Sequence, residues 1–237
     1  MAGLKLNKRL ERIIGQIKFV PKLASWQNTI AAAQNLEEKY DEWRMNKQGD
    51  VLLISPSERK VLRASYNSII YSNEGDCNTA ELTKHIETLY RKSIKDSGVT
   101  DVKHVGIRTI QIIETSFKFK ELSDLIYNKF YKKDFLGEIS AEKVNDTIFV
   151  LDGEKNGVSN HVKIGPMAKK EALQHFSSTF EVDDSKLLGD SYLFVDVDTY
   201  VSDFSMNSHK LDEMLPRLLV ENKRISDGYL GYIEKIE

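Results

Sequence analysis

The chain has 237 residues, of which 41% are hydrophobic and 30% are charged, and its formal net charge is −2. These values are typical of a folded globular protein, and they exclude a disordered chain and a general electrostatic attraction to nucleic acid. No apolar run approaches the roughly 20 residues that a membrane span needs, and Cys77 is the single cysteine. We therefore expect a cytoplasmic protein without membrane segments or internal disulfides.

The N-terminal third predicts alternating helices and strands. Apolar residues on every second position from Ile13 to Val20 predict a strand ended by Pro21, and the residues before it predict a short helix. Ser25 is a candidate N-cap for the next helix, which is rich in alanine and glutamate. The β-branched segment 51–55 and the residues onward to Tyr71 predict strands separated by the turn "PSER".

The middle third predicts a helix, a strand and a second helix. An apolar stripe at helical spacing predicts a helix that ends at Gly98. The β-branched run "DVKHVGIRTIQIIETSF" predicts a long strand. The segment "FKELSDLIYNKFYKKDF" predicts an amphipathic helix, whose apolar face carries Leu122, Leu125, Ile126 and Phe130.

The last third predicts a hairpin around the loop 152–157, a helix in "MAKKEALQHFSSTF", a strand in "DSYLFVDVDTYV" and a C-terminal helix. Ser208 is a candidate cap of that last helix, and Pro216 marks either a kink or a later start. The elements together predict an α+β fold of antiparallel sheets with packed helices. We divide it into an N-terminal half, 1–135, and a C-terminal half, 136–237, which are either two related halves or parts of one continuous domain.

Lysines and aromatic residues interleave in and around the amphipathic helix. Bases can stack on such rings while the lysines neutralise phosphates, so we predict a nucleic-acid-binding surface there. The alternative is an ordinary amphipathic helix with aromatic residues in the core and lysines in solvent. The lysines are Lys118, Lys120, Lys129, Lys132 and Lys133, and the aromatic residues are Phe117, Phe119, Tyr127, Phe130 and Tyr131.

The strand "DSYLFVDVDTYV" raises the possibility of a metal site. Alternation places Leu193, Val195 and Val197 on a core face, and Asp196 and Asp198 side by side on the other. Paired carboxylates can hold Mg²⁺ or Mn²⁺, but such sites usually add a third acid, a base or a phosphate-binding loop. The sequence shows none of these, no zinc spacing and no nucleophile elbow, so it favours a strand with one wet face and predicts no metal or cofactor.

The strand after the long helix resembles a motif of a sporadically distributed, functionally uncharacterised family of bacterial proteins. Members carry an Arg-x-Gly-[Leu/Ile]-Arg-Tyr-[Ile/Val]-Asn strand and, late in the chain, an aliphatic strand with spaced aspartates, to which "LFVDVDTYV" is similar. The resemblance covers nearly the whole layout, but it implies no catalytic residue. The matching positions are Gly106, Ile107, Arg108 and Ile110, whereas His104, Thr109 and Gln111 depart from the motif.

Arg108 is the one polar residue that matches the motif. It can contribute to binding a phosphate or another ligand, or it can pair with an acid such as Glu114 or Asp196. We include it with the lysines among the candidate nucleic-acid-binding residues.

The sequence is compatible with two functions. The first is a non-catalytic interaction subunit of a prokaryotic antiviral-defence complex, for example a partner of a short Argonaute that helps to hold guide or target nucleic acid. This expectation follows from the patchy distribution implied by the resemblance and from the uneven charge, basic in residues 1–22 and acidic in 181–203. The alternative is a metal-dependent enzyme that acts on a nucleotide or phosphodiester through Asp196 and Asp198.

Overall fold

A computed structural model describes residues 6–75, 79–91, 101–131, 145–177, 180, 187, 189–205 and 209–235. Within these ranges the chain forms nine strands and five α-helices. The strands are β1 Leu6–Phe19, β2 Glu42–Met45, β3 Val51–Ser55, β4 Lys60–Ala64, β5 Ser68–Glu74, β6 Asp101–Thr115, β7 Phe149–Lys155, β8 Val158–Ala168 and β9 Ser191–Ser205. The helices are α1 Leu23–Gln34, α2 Thr79–Tyr90, α3 Phe119–Phe130, α4 Lys169–Ser177 and α5 His209–Glu234, and a 3₁₀ turn spans Glu37–Lys39.

The nine strands form one antiparallel sheet in the order β2-β3-β4-β5-β1-β6-β9-β8-β7. The long strands β1 and β6 lie side by side at its centre, with Gly15 opposite Ile107. This arrangement confirms the predicted α+β class with antiparallel pairing. The strands belong to a single sheet, to which the residues on both sides of position 135 contribute.

Helices α1, α2, α3 and α5 pack on one face of the sheet, which we call the helix-covered face. Its core includes Ile17 of β1, Ile107 of β6 and Val195 of β9, all 0% exposed. On the opposite face, called here the open face, α4 is the one described helix, and its Phe176 packs near Ile112. Burying one face under four helices fixes the register of the central strands, because a one-residue slip would turn their apolar side chains outward.

Most predicted elements are confirmed. Strands β3 to β6 and β9 form where β-branched residues concentrate, and α2 to α5 form where the apolar residues have helical spacing. The predicted hairpin is β7 and β8, joined by Asn156 and Gly157, whose φ angles of 54° and 71° suit the two-residue turn that Asn-Gly favours.

Some boundaries were predicted wrongly. The short helix expected before Ile13 is part of β1, which starts at Leu6 and pairs along its length with β6. Ser25 lies inside α1, which begins at Leu23. Pro216 lies inside α5, so this helix does not start later. Gly98, Ser208 and the proposed boundary near 135 lie outside the described residues, and no described helix is both long and apolar enough to cross a bilayer.

Candidate nucleic-acid interface

The predicted lysines do not share one surface. Lys118 precedes α3, and its main-chain N–H donates to Glu121 Oε2 at 2.7 Å. Lys120 forms an ion pair with Asp124 one turn along the helix. Lys129 is nine positions beyond Lys120, which at 100° per residue places it on the opposite flank of α3. Lys132 and Lys133 lie outside the described residues.

The aromatic side chains of the same segment are largely engaged in packing. Tyr127 is 9% exposed, and the ring of Tyr131 stacks on it with a centroid separation of 5.5 Å. Phe130 stacks on Phe149 of β7 at 4.1 Å. The hydroxyl of Tyr131 donates to the Ile148 carbonyl at 3.0 Å. These rings therefore hold α3 against the sheet.

Lys129 opens onto a groove between α3, the β7–β8 hairpin and α5. It comprises two neighbouring cavities of about 570 and 460 Å³, which share Lys155 and Glu221 in their walls. We call it the α5 groove, because residues from Pro216 to Tyr232 form one wall. The other lining residues used below are Phe130 of α3, Phe149 and Lys155 of β7, and Asn156 of the hairpin turn.

The charge in the α5 groove is predominantly positive. Lys129, Lys155, Arg217 and Arg224 line it, and Glu221 is the acidic residue among its lining side chains. Arg224 donates from Nε to Glu221 Oε2 at 2.8 Å, and this hydrogen bond lowers the pKa of the Glu221 carboxyl. One of the four cations is thus partly neutralised, and an excess of positive charge remains for an anion.

Four aromatic rings accompany these charges: Phe130, Phe149, Tyr229 and Tyr232. Tyr232 is 49% exposed, and Lys129 Nζ lies 5.2 Å from its ring centroid. Tyr229 is more enclosed, and burial raises the pKa of its hydroxyl. Tyr232 therefore offers exposed aromatic surface with a lysine over its ring, and an exposed ring together with a lysine can stack a base and contact its phosphate.

Gly228 forms part of the groove wall in the middle of α5. A Cβ at this position would meet no heavy atom of the described residues within 4 Å. Packing within the protein thus gives no reason for a glycine, although glycine costs about 1 kcal/mol relative to alanine in a helix interior. The missing side chain keeps the groove open and its backbone accessible.

The hairpin turn positions the opposite wall. The left-handed conformations of Asn156 and Gly157 reverse the chain directly after Lys155. Arg217 of α5 reaches across and donates from Nη2 to the Asn156 carbonyl at 3.5 Å. The turn therefore sets where Lys155 stands relative to α5.

Arg108 lies on the other side of the sheet, away from the lysines. Its Nε and Nη2 donate to the two carboxylate oxygens of Asp196 at 2.8 and 2.7 Å. Asp196 is 2% exposed. The face of β9 that was expected to be solvent-exposed is therefore buried at this position. Of the alternatives left open for Arg108, the structure shows the ion pair with Asp196.

Asp198 is half-buried beside this pair. Burial raises the pKa of its carboxyl, and the charge of Arg108 opposes that effect. Across β8, His161 Nδ1 lies 2.6 Å from Asp152 Oδ1. Within the described ranges, no three carboxylate, imidazole or thiolate side chains are close enough to hold a metal ion together. Both oxygens of Asp196 already accept hydrogen bonds from Arg108, which makes them less available as metal ligands.

Three of the basic residues that line the groove were not predicted from the sequence. Lys155 stands in the turn segment "DGEKNG", and Arg217 and Arg224 stand in the C-terminal helix, where lone basic residues are ordinary surface residues. Their spacing along α5 does carry a signal, since Arg217, Glu221, Arg224 and Gly228 recur every three or four residues on one helical face. The residues of α3 and β7 that complete the groove lie far from α5 in the sequence, so the spacing within the helix does not predict them.

Neither a scan against protein-family models nor a search of curated proteins finds a match to this chain.

Proposed function

We propose that this protein is a subunit of a complex that holds single-stranded nucleic acid, and that the α5 groove contacts the strand. The main support for this proposal is that one groove is lined by Lys129, Lys155 and Arg224 together with accessible aromatic surface. These residues come from three separate elements, α3, β7 and α5.

The charges suit a phosphate backbone. Arg217 and Arg224 are seven positions apart on α5 and so point in nearly the same direction about 10 Å apart along the helix. Lys155 faces them from the hairpin. A row of cations along a groove follows successive phosphates of an extended strand, which one isolated basic site does not.

The aromatic surface favours a single strand over a duplex. The bases of a duplex are stacked on each other, whereas an unpaired base exposes a face that can stack on a ring such as Tyr232. Each part of the groove has the size of a small-molecule pocket, at about 570 and 460 Å³. It therefore has room for individual nucleotides rather than for a helical duplex.

A partner is part of the proposal because the isolated chain has a net charge of −2. Its affinity for a strand is expected to be micromolar or weaker, as for non-specific contacts. The resemblance of "GIRTI" and "LFVDVDTYV" to the sporadic bacterial family supports an antiviral-defence setting, with a short Argonaute as the example of a partner.

Titration of a labelled single-stranded oligothymidine at several salt concentrations tests the groove. The test protein is the triple variant Lys129→Gln, Lys155→Gln, Arg224→Gln. The control is Lys39→Gln, Lys47→Gln, Lys223→Gln, which removes the same charge at exposed positions outside the groove. We expect only the test variant to lose affinity and to show a shallower salt dependence, by about 0.7 in slope for each lost phosphate contact. Equal behaviour of the two triple variants would contradict the proposal.

Co-expression with the neighbouring genes of its operon tests the subunit role. We expect a neighbour's product to co-purify with the protein and to raise its affinity for the oligothymidine. A monomer that retains no neighbour product would contradict the subunit role. If that monomer still bound the oligothymidine, the proposed role of the groove would stand without the subunit role.

The metal-dependent enzyme acting through Asp196 and Asp198 is the weaker proposal, because Arg108 already occupies both Asp196 oxygens. Calorimetric titration with Mn²⁺ and Mg²⁺ tests it. The test variant carries both Asp196→Asn and Asp198→Asn. If it binds metal as the unmodified protein does, the result contradicts this proposal.

The strand order also leads us to propose that the chain consists of two related halves. Each central strand is followed by a helix, a run of antiparallel strands that returns to it, and a further helix. In this scheme β1, α1, β3, β4, β5 and α2 correspond to β6, α3, β7, β8, β9 and α5. Such a division would fall between Tyr90 and Asp101 rather than at residue 135.

A further inference from the structure

Strand β7 is an edge strand of the sheet, and it exposes apolar side chains. Among the described strands, β7 pairs with β8 alone. Ile148, directly before this strand, and Val150 and Leu151 within it are 50%, 44% and 42% exposed. Proteins normally protect an edge strand with short length, charge, proline or a bulge, because its free N–H and C=O groups pair readily with another strand.

Strand β2, at the opposite edge of the sheet, is shorter and carries paired charges. Strand β2 has only four residues, and Glu42 and Arg44 form an ion pair along it at 2.9 Å. Strand β7 has seven residues, and Phe149 to Leu151 form an uncharged stretch without proline. Strand β2 also exposes Trp43 and Met45, so the two edges of the sheet differ mainly in length, and β7 is long enough to pair with an added strand.

We propose that β7 is the docking edge for the partner subunit of the complex, which adds an extended strand beside it. This inference rests on the proposed function, and it specifies how the partner attaches. Main-chain hydrogen bonds would supply affinity, and the alternating side chains of β7 would select the sequence of the added strand.

The side chains of β7 define the chemistry of that strand. Val150 and Asp152 lie opposite Lys163 and His161 of β8 and share the open face with them. Asp152 and Glu154 are exposed and acidic on that face. The added strand should therefore carry an apolar residue beside Val150 and a lysine or arginine beside Asp152 or Glu154, because opposite charges on neighbouring strands attract.

On the helix-covered face the same edge borders the α5 groove. Phe149 and Lys155 line the groove, and Leu151 lies between them on the same side of β7. A strand added to β7 would extend this wall outward. Docking of the partner and completion of the nucleic-acid groove would then be one event, which accounts for the need for a partner.

Val150→Lys tests the docking edge without altering the groove, because Val150 points to the open face. Leu23→Lys is the control, since Leu23 is an exposed apolar residue on α1, 77% exposed and far along the sheet. The measurements are co-purification of the neighbour's product from the co-expressed operon, the mass of each species in solution, and amide hydrogen exchange of residues 149–155.

We expect the unmodified protein to retain the partner and to show slowed exchange of the β7 amides in the complex. Val150→Lys should lose the partner and the slowed exchange, whereas Leu23→Lys should retain both. A complex that survives Val150→Lys with unchanged β7 exchange would overturn the docking edge while leaving the proposed function standing. Absence of any complex would overturn both proposals. A homodimer of the isolated protein that Val150→Lys dissociates would assign the edge to a second copy and also overturn the proposal.

Discussion

The side-chain amide of Asn222, in the middle of α5, donates a hydrogen bond to the main-chain carbonyl of Ile107 in β6 at 2.8 Å. The same nitrogen lies 2.8 Å from the Val197 carbonyl and 3.1 Å from Thr199 Oγ1, both in β9. Its oxygen accepts from Thr109 Oγ1 at 2.6 Å. Asn222 is 1% exposed, so this network ties α5, and with it one wall of the groove, to two central strands.

Replacing Asn222 with leucine should destabilise the protein by about 3 kcal/mol, because it leaves several buried polar partners unsatisfied. Urea denaturation followed by circular dichroism measures this change. Lys223→Ala, the exposed neighbour on the same helix, should change stability by less than about 0.5 kcal/mol. A loss of similar size in the two variants would show that the network contributes nothing specific.

Removing the arginine of the Arg108–Asp196 pair should also destabilise the fold. Arg108→Gln leaves the Asp196 carboxylate buried without its bidentate donor. The expected cost is about 2 kcal/mol, below the 3–5 typical of fully buried pairs, because the Arg108 side chain is 43% exposed. Asp196→Asn in the Arg108→Gln background should recover part of the loss, since it removes the uncompensated charge. No recovery in urea denaturation would contradict this account.

Stability should fall below pH 6.5 because of His85. This residue is 4% exposed in the core, and burial lowers its pKa from 6.5 to about 4, with Lys60, Lys39 and Lys84 acting in the same direction and Glu81 opposing them. The unfolded chain therefore binds a proton between pH 6.5 and 4 that the folded chain does not, and stability is lost as the pH falls through this range.

The size of that loss should be about 3 kcal/mol for His85 alone, at 1.36 kcal/mol for each pH unit between the two pKa values. Urea denaturation at a series of pH values measures it. His85→Leu should make the dependence between pH 6.5 and 4 less steep, even though it removes the contact between His85 Nδ1 and the Tyr40 hydroxyl. Part of the dependence should remain, because burial also lowers the pKa of His104 to about 4. An unchanged slope in this variant would show that other groups cause the loss.

Local signals in the sequence were enough to predict the hairpin and the late strand. Asn156 and Gly157 adopt the left-handed conformations that this dipeptide favours in a two-residue turn. The alternation in β9 correctly placed Val195 and Val197 in the core. Such features depend on neighbours in the chain, so they can be predicted without the fold.

The N-terminal strand could not be predicted in the same way. A helical pattern from Leu6 to Ile17 overlaps with an extended pattern that starts at Ile13, and the choice is made by long-range pairing, for instance of Gly15 with Tyr71 on one side and Ile107 on the other. Two ladders satisfy the backbone more completely than one isolated helical turn would, so tertiary structure overrides local preference.

The candidate site was predictable only in part for a related reason. Lys129 was among the predicted residues because lysine and aromatic residues concentrate around it. Lys155 and Arg224 lie far from it in sequence and meet it only when the hairpin and α5 pack on the same face. Arg108, which was grouped with the lysines, is separated from them by the sheet itself, a distinction that depends on strand parity and register.

Gly228→Leu should close the α5 groove while stabilising the fold. The position has open space for a side chain, and leucine is a better helix former by somewhat less than about 1 kcal/mol. The added side chain would project from the groove wall beside Arg224 and Tyr232. We therefore expect a higher urea midpoint together with weaker binding of the labelled oligothymidine.

Gly231→Leu is the matched control for this change. Gly231 lies in the same helix, also has open space, and is not among the residues that line the groove. It should give a similar gain in stability with unchanged strand binding. Because most substitutions that weaken binding also weaken the fold, opposite shifts of stability and affinity in Gly228→Leu alone would locate the strand in the groove. Equal affinities for Gly228→Leu, Gly231→Leu and the unmodified protein would show that the groove does not contact the strand.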